Sequence, residues 1–304
     1  MIKPDGIYPS TCWECSTRCG SLVTLENGHV TKVGPNPKHP GSKGAFCVKG
    51  IRALPELTYS PNRIGSPMRR VGARGSGQWD EISWDDALEE MADRLLAVRA
   101  EYGPEAIIGA VSSAFFSRGA MVALLMRSLG SPNWMMNQDL CGGCRALSDK
   151  VTGLGIVGGE DVENTRCALI VGRNPSAADP VQWMALKRAK KNGAKFIVID
   201  PAQTPAAKLA DIWLRPKPGS DAAIALAMIN VIIKENLLDS EFVKKWTYGF
   251  EDLEKRAADY SPNHAARLSG VSANDIIEAA RLYAAGPSCF VSGHGIDAFS
   301  NGVQ

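Results

Sequence analysis

Two hydrophobic periods run along this chain, and the change from one to the other divides it. Near the start, Leu22 to Glu26 and His29 to Val33 flank Asn27-Gly28, a pair that tolerates positive φ, and this predicts a tight β-hairpin. Further on, Ser83 stands as a helix N-cap with Asp85 and Asp86 behind it. Leu88, Met91, Leu95, Val98 and Tyr102 then recur at helical spacing until Gly103-Pro104 stops the run. After that, short apolar strands alternate with helical stretches. Strands are predicted at Ile107 to Val111, Leu169 to Val171, Phe196 to Ile199 and Phe290 to Ser292. Helices are predicted at Met121 to Leu129, Val181 to Lys191 and Asp221 to Ile233. Such alternation predicts an α/β fold: a small β-rich N-terminal domain followed by doubly wound parallel-sheet domains, with ligands at the carboxyl ends of strands. Three domains are expected: 1–62, 63–148 completed by 289–304, and 149–288. Because the chain stops at Asn301-Gly302-Val303-Gln304, just past a buried-strand candidate, it is expected to be C-terminally truncated.

Composition narrows the class. With 304 residues and 45% hydrophobic content the chain can bury real cores, and a net charge of +2 with interspersed signs offers no basic stripe for nucleic acid. No apolar run is long enough to span a bilayer, and Met1 to Gly20 lacks both an apolar export core and paired arginines, so a cytoplasmic location is expected. In such a compartment eight cysteines read as ligands or buried thiols rather than disulfides.

Their spacing then carries the chemistry. Cys12, Cys15 and Cys19 are separated by two and three residues, and Cys47 follows after twenty-seven more in Gly44-Ala45-Phe46-Cys47-Val48-Lys49-Gly50. Four thiolates from two loops suit a cubane iron–sulfur cluster, whereas a structural zinc site would usually pair two C-x-x-C knuckles. Cys141-x-x-Cys144 is a second dithiol, open to a metal-ligand, redox or zinc reading, while Cys167 and Cys289 sit in strand-like stretches as buried fillers. Small and polar groups also follow predicted strands. Gly172-Arg173-Asn174-Pro175-Ser176 and Asp200 could receive a purine nucleotide, with Asp200 on ribose hydroxyls and Gly219-Ser220-Asp221 opening a helix toward phosphate and base. Taken singly these residues read as a turn, a strand terminator and a helix cap.

The ordered blocks resemble the N-terminal half of the molybdopterin oxidoreductases, the dimethyl sulfoxide reductase superfamily. The blocks are the four cysteines, Cys47-Val48-Lys49-Gly50, Gln78 to Leu88, Leu129-Gly130-Ser131-Pro132-Asn133, Gly172-Arg173-Asn174-Pro175, Asp200-Pro201, Ala210-Asp211 and Pro218 to Ala222. The resemblance implies a [4Fe–4S] cluster on Cys12, Cys15, Cys19 and Cys47, and molybdenum or tungsten held by a bis(molybdopterin guanine dinucleotide). It places Lys49 between cluster and pterin, makes Cys141 the protein ligand to the metal, and assigns Gly172, Asn174, Pro175, Ser176, Asp200, Gly219, Ser220 and Asp221 to the dinucleotide. The expected activity is two-electron oxidoreduction of a small molecule, with electrons relayed by the cluster to an iron–sulfur subunit or carrier.

Three departures qualify the resemblance. Gly142 stands where a formate dehydrogenase would carry histidine, and Trp13 where acetylene hydratase places an aspartate. Both shift the expectation toward polysulfide, thiosulfate or arsenate reductases. Ala202-Gln203 follows Asp200-Pro201 where similar proteins often have arginine, so one phosphate or base contact is lost or supplied elsewhere. A metal-free relative, similar to the large electron-transfer subunit of complex I, is the rival reading, and retention of Cys141 and Lys49 argues against it.

Overall fold

The computed structural model describes residues 3–15, 17–112, 116–136, 142–153, 160–297, 299 and 301–302. It divides into two compact units, Met1–Cys141 and Gly142–Gln304.

The first unit opens with an antiparallel sheet of β1 (Gly6–Thr11), β2 (Gly20–Glu26) and β3 (His29–Pro35). β2 and β3 close on Glu26↔His29, with Asn27 at φ +52° and Gly28 at φ +76°. Two consecutive positive φ values define the tight hairpin turn whose twist matches that of its strands, as the Asn-Gly pair predicts. A turn of π-helix, Lys49–Ala53, leads into α1 (Leu54–Thr58). Beyond the small hairpin of β4 (Met68–Arg70) and β5 (Trp79–Glu81) comes α2 (Trp84–Tyr102). Ser83 Oγ accepts the Asp86 N–H at 3.0 Å and Gly103, at φ +84°, ends the helix, so both predicted signals act. Parallel strands β6 (Gly109–Val111) and β7 (Trp134–Met136) flank α3 (Phe116–Leu129). Ile107, Met126 and Leu129 form a small core with Leu95 and Val122. Of the five residues at helical spacing along α2, only Leu95 joins that core; Leu88, Met91 and Tyr102 remain 55%, 57% and 66% exposed.

The second unit begins with α4 (Gly143–Thr152) and centres on a parallel sheet of order β10-β9-β8-β11. These strands are β8 (Cys167–Val171), β9 (Lys195–Ile199), β10 (Ile212–Leu214) and β11 (Ser288–Ser292). Every residue of β8 is buried, as a central strand covered on both faces requires. Alternate residues serve opposite layers. Cys167, Leu169 and Val171 pack against α6 (Asp221–Lys234) and α7 (Ala273–Ala284), whereas Ala168 and Ile170 pack against α5 (Pro180–Lys191). From β8 the chain winds outward through β9 to β10 and then returns to lay β11 on the opposite side of β8. That reversal makes the carboxyl ends of β8 and β11 the switch point of the sheet, the region where ligands bind in sheets of this kind. The doubly wound parallel fold is the predicted one. No helix of the described residues is long and apolar enough to cross a membrane.

Candidate cofactor site

β1 and β2 pair as far as Thr11↔Gly20, and one step further the Cys12 N–H donates to the Cys19 carbonyl at 2.9 Å. Cys12 and Cys19 therefore oppose each other at the mouth of the hairpin, and both are buried. The turn between them carries Cys15, which is exposed. Arg18, at φ +49°, lays its guanidinium 4.6 Å from the centre of the Trp13 ring.

A separate set of residues ties the Cys47 loop to that hairpin. Gly20, next to Cys19, donates its N–H to Ser42 Oγ at 3.1 Å, and both the Ser42 hydroxyl and its N–H meet His39 Nδ1 at 3.1 Å. Ser42 is buried, and the His39 side chain lies so close to Gly20 that a Cβ there would stand 2.3 Å from it. Half-buried Cys47 follows, and its carbonyl accepts the Ile51 N–H from the π-helical turn. Gly50 lets the Phe46 ring close on this turn, since a Cβ would lie 2.6 Å from the ring. π-Helical turns concentrate at functional sites. At the far end, the Val30 N–H donates to Tyr59 Oη at 2.8 Å, so the segment is anchored to the sheet at both ends. Lys49 lies in the π turn, exposed, its side chain without a hydrogen-bond or ion-pair partner among the described residues.

These thiols suit a cluster. The described cysteines are free of disulfides, and among the described residues no three His, Cys, Asp or Glu side chains converge as a single-ion cage requires. A cubane makes a different demand, because each thiolate takes its own iron at a separate corner. An opposed pair plus two loop cysteines is compatible with that arrangement and ill matched to tetrahedral zinc.

In the second unit the predicted nucleotide residues gather at the carboxyl ends of strands. Gly172, at φ +55°, follows β8 and donates its N–H to the Ile199 carbonyl at 2.9 Å. The turn Asn174, Pro175 and Ser176 comes next, with the Ser176 hydroxyl donating to Asn174 Oδ1 at 2.6 Å. Asp200, buried at the end of β9, accepts the Ala202 N–H at 2.8 Å. Gly219, at φ +85°, and Ser220 lead into Asp221 at the start of α6. Burial pushes the Asp221 carboxyl above its ordinary range, and the nearby Asp200 carboxylate adds to the effect. Two carboxylates and two left-handed glycines around the strand ends make a polar cradle suited to ribose and base hydrogen bonding. Arg215, just past β10, donates Nε–H to the Pro201 carbonyl at 3.1 Å. A guanidinium thus reaches the Asp200-Pro201 turn, although Ala202-Gln203 brings none.

Of the second dithiol, Cys141 lies outside the described residues, while Cys144 is half-buried in the first turn of α4. Cys167 is a core residue whose thiol is pushed up to about 11 by burial, and burial likewise raises Cys289.

Two polar networks brace turns at strand ends in this unit. Arg173 donates Nε–H to Gln182 Oε1 and pairs with Asp179, bracing the turn after β8. His294 Nδ1 meets Asp297 Oδ2 at 2.6 Å in the turn after β11. The only advance signal for the second was the Gly-His-Gly triplet at a strand end.

Comparison with known proteins finds matches along nearly the whole chain. Residues 6–60 match the molybdopterin oxidoreductase Fe4S4 domain and residues 63–304 match the molybdopterin oxidoreductase family. Acetylene hydratase of Syntrophotalea acetylenica is 36% identical over 90% of this chain and 38% of that protein. The thiosulfate reductase molybdopterin-containing subunit PhsA of Salmonella typhimurium is 34% identical over 95% of this chain and 38% of its own length. Formate dehydrogenase H of Escherichia coli is 31% identical over 97% and 42%. The solved structure of acetylene hydratase from Pelobacter acetylenicus superposes with a TM-score of 0.83 at 33% identity, covering 97% of this chain and 41% of that one. The chain thus spans about two fifths of the length of these relatives. A [4Fe–4S] cluster and a molybdopterin-bound molybdenum or tungsten are the cofactors that its two matched regions specify, and the chain belongs to the molybdopterin oxidoreductase family.

Proposed function

We propose that the protein works as a molybdenum or tungsten bis(molybdopterin guanine dinucleotide) oxidoreductase acting on a small inorganic or organic acceptor. The observation that carries this reading is the joining, in one chain, of an opposed Cys12 and Cys19 pair with its anchored Cys47 turn to a strand-end cradle formed by Gly172, Asp200 and Asp221. When bound, the metal centre supplies two-electron chemistry and the cluster one-electron relay. The chain's residues divide the remaining work. Cys12, Cys15, Cys19 and Cys47 each hold one iron, Cys141 supplies a thiolate to the metal, and Lys49 offers N–H donors to the pterin. Asn174, Pro175 and Ser176 border the dinucleotide beside Gly172, Asp200 takes its ribose hydroxyls, and Gly219, Ser220 and Asp221 take its phosphate and base.

The domains are proposed as 1–62 for the cluster, 63–148 with 289–304, and 149–288 for the dinucleotide. A cytoplasmic enzyme passing electrons to an iron–sulfur subunit or carrier completes the proposal. Gly142 favours a reductase of polysulfide, thiosulfate or arsenate type over a formate dehydrogenase, and Trp13 favours it over an acetylene hydratase. The identity to acetylene hydratase keeps hydration as the second reading, and it is separated by assaying for substrate turnover without electron transfer.

Anaerobic purification of the full-length protein followed by metal analysis and electron paramagnetic resonance tests the proposal. The expected result is about four irons and one molybdenum or tungsten per chain. Cys141→Ala should abolish turnover while the cluster spectrum survives. Irons without either heavier metal would leave the metal-free electron-transfer reading in its place.

A further inference from the structure

We propose that Arg18, held on the ring of Trp13 inside the loop from Cys12 to Cys19, is a positioned charge that raises the reduction potential of the [4Fe–4S] cluster. The inference rests on the reading above in which Cys12, Cys15, Cys19 and Cys47 each hold one iron.

The backbone marks the residue first. Arg18 sits at φ +49°, in the left-handed region that glycine and asparagine enter far more readily than arginine. That conformation belongs to the turn that brings the chain back on itself. The Arg18 N–H donates to the Cys15 carbonyl at 3.4 Å, and the carbonyl of the next residue, Cys19, accepts the Cys12 N–H at 2.9 Å. Glycine would make the same turn with less strain, so a long cationic side chain at this position points to a use beyond the turn itself.

The side chain has one. Its guanidinium carbon lies 4.6 Å from the centre of the Trp13 ring, within the range of a cation–π contact, and a planar, weakly hydrated guanidinium stacks well on indole. Glu14 is the single acidic residue between Cys12 and Cys19, and among the described residues neither it nor any other carboxylate pairs with Arg18. The positive charge is therefore held in place without being neutralised. Trp13 is peptide-bonded to Cys12 and Arg18 to Cys19, so the stack ties together the two arms of the loop directly beside two thiolates.

Holding the charge still is what gives it leverage. An exposed charge that swings freely is screened by water and salt, whereas one fixed beside the ligands acts at short range. Four thiolates outweigh the charge of the iron–sulfide core, so the ligated cluster is an anion and becomes more so on gaining an electron. Net charge and solvent exposure both set its potential. A fixed cation favours the reduced form. Exclusion of water by the indole alone would act in the opposite sense, because it penalises the more charged state. The sign of the shift thus separates the two partners. Reduction adds one electron to the cluster and moves no proton. In the reductase reading electrons enter there, so a raised potential lets weaker donors fill it.

The test is an anaerobic redox titration of the full-length protein with dithionite, followed by electron paramagnetic resonance of the reduced cluster. Arg18→Asn removes the charge and keeps a residue that accepts the left-handed backbone. At the wild-type midpoint it should hold about ten oxidised clusters for each reduced one, a fall of about 59 mV. Arg18→Lys should fall by less. Trp13→Phe should stay near wild type, and Trp13→Ala should fall, because the arginine loses its platform. An Arg18→Asn potential equal to wild type overturns the inference, and so does a Trp13→Ala potential that is unchanged or raised. Should Arg18→Asn fail to assemble a cluster, Trp13→Ala decides alone. Wild-type protein without a cluster spectrum overturns the ligand reading and this inference together, whereas clusters of equal potential in wild type and variants overturn the inference alone.

Discussion

Gly20 has no side chain, and the space one would occupy is filled by His39. Its N–H is spent on Ser42, a buried residue, so this contact fastens the Cys47 loop to the hairpin mouth before any iron is bound. Ser42→Ala would leave that N–H without its acceptor, at a cost of about 1–3 kcal/mol. The expected outcome is a lower unfolding midpoint and faster loss of iron on exposure to a chelator, read by absorbance of the cluster. Iron retention equal to wild type would mean that the cysteines alone hold the loop. At this scale the cluster was legible because thiolate spacing is itself the chemical signal. The clamp was not, because His39, Ser42 and Gly20 are ordinary loop residues until the chain folds back twenty-two positions to join them. The same blindness hid Asp297, a loop carboxylate with nothing in its neighbourhood to mark it.

Elements were read well where local signals govern them. The Asn27-Gly28 hairpin, the Ser83 cap and the Gly103 stop of α2, and the strand cores of β8 and β9 all lie where turn chemistry and apolar runs put them. Helical spacing reports a shared face and not what covers it: Met91 and Tyr102 share the face of α2 that carries Leu95 and stand exposed. Asp221 opens α6, where a carboxylate ordinarily gains from the helix dipole and free N–H groups. Here burial and the Asp200 charge outweigh that gain and raise its pKa. A carboxyl raised in the folded state contributes stability that is full below its unfolded value of about 3.8 and lost as pH rises through the folded value. Asp221→Asn should therefore raise the unfolding midpoint of the cofactor-free protein at neutral pH, with the two curves converging on acidification. Equal midpoints at pH 7 would mean that solvent reaches the carboxylate fully.

At the scale of the whole molecule the two units draw stability from different sources. The second has two extensive cores on either face of a parallel sheet, with Ile170, Phe196, Ile197 and Ile224 wholly buried. In the first, the described core cluster comprises Ile107, Met126 and Leu129, and residues 6–60 bury few apolar side chains beyond Val33 and the cysteines. Small domains with thin cores rely on metal–thiolate bonds, so ligand binding there is folding free energy. The alternation of strands and helices made the second unit legible, whereas the four cysteines were what announced a cluster in the β-rich region. Hydrogen exchange on iron-loaded and chelated protein separates the two cases. Removing iron should speed exchange across residues 6–60 by at least tenfold, most in the β1 and β2 amides nearest Cys12 and Cys19, while β8 and β9 keep their protection. Uniform loss of protection in both units would show that the second sheet also depends on the cluster. Unchanged exchange near Cys12 would show that hairpin and clamp suffice without metal.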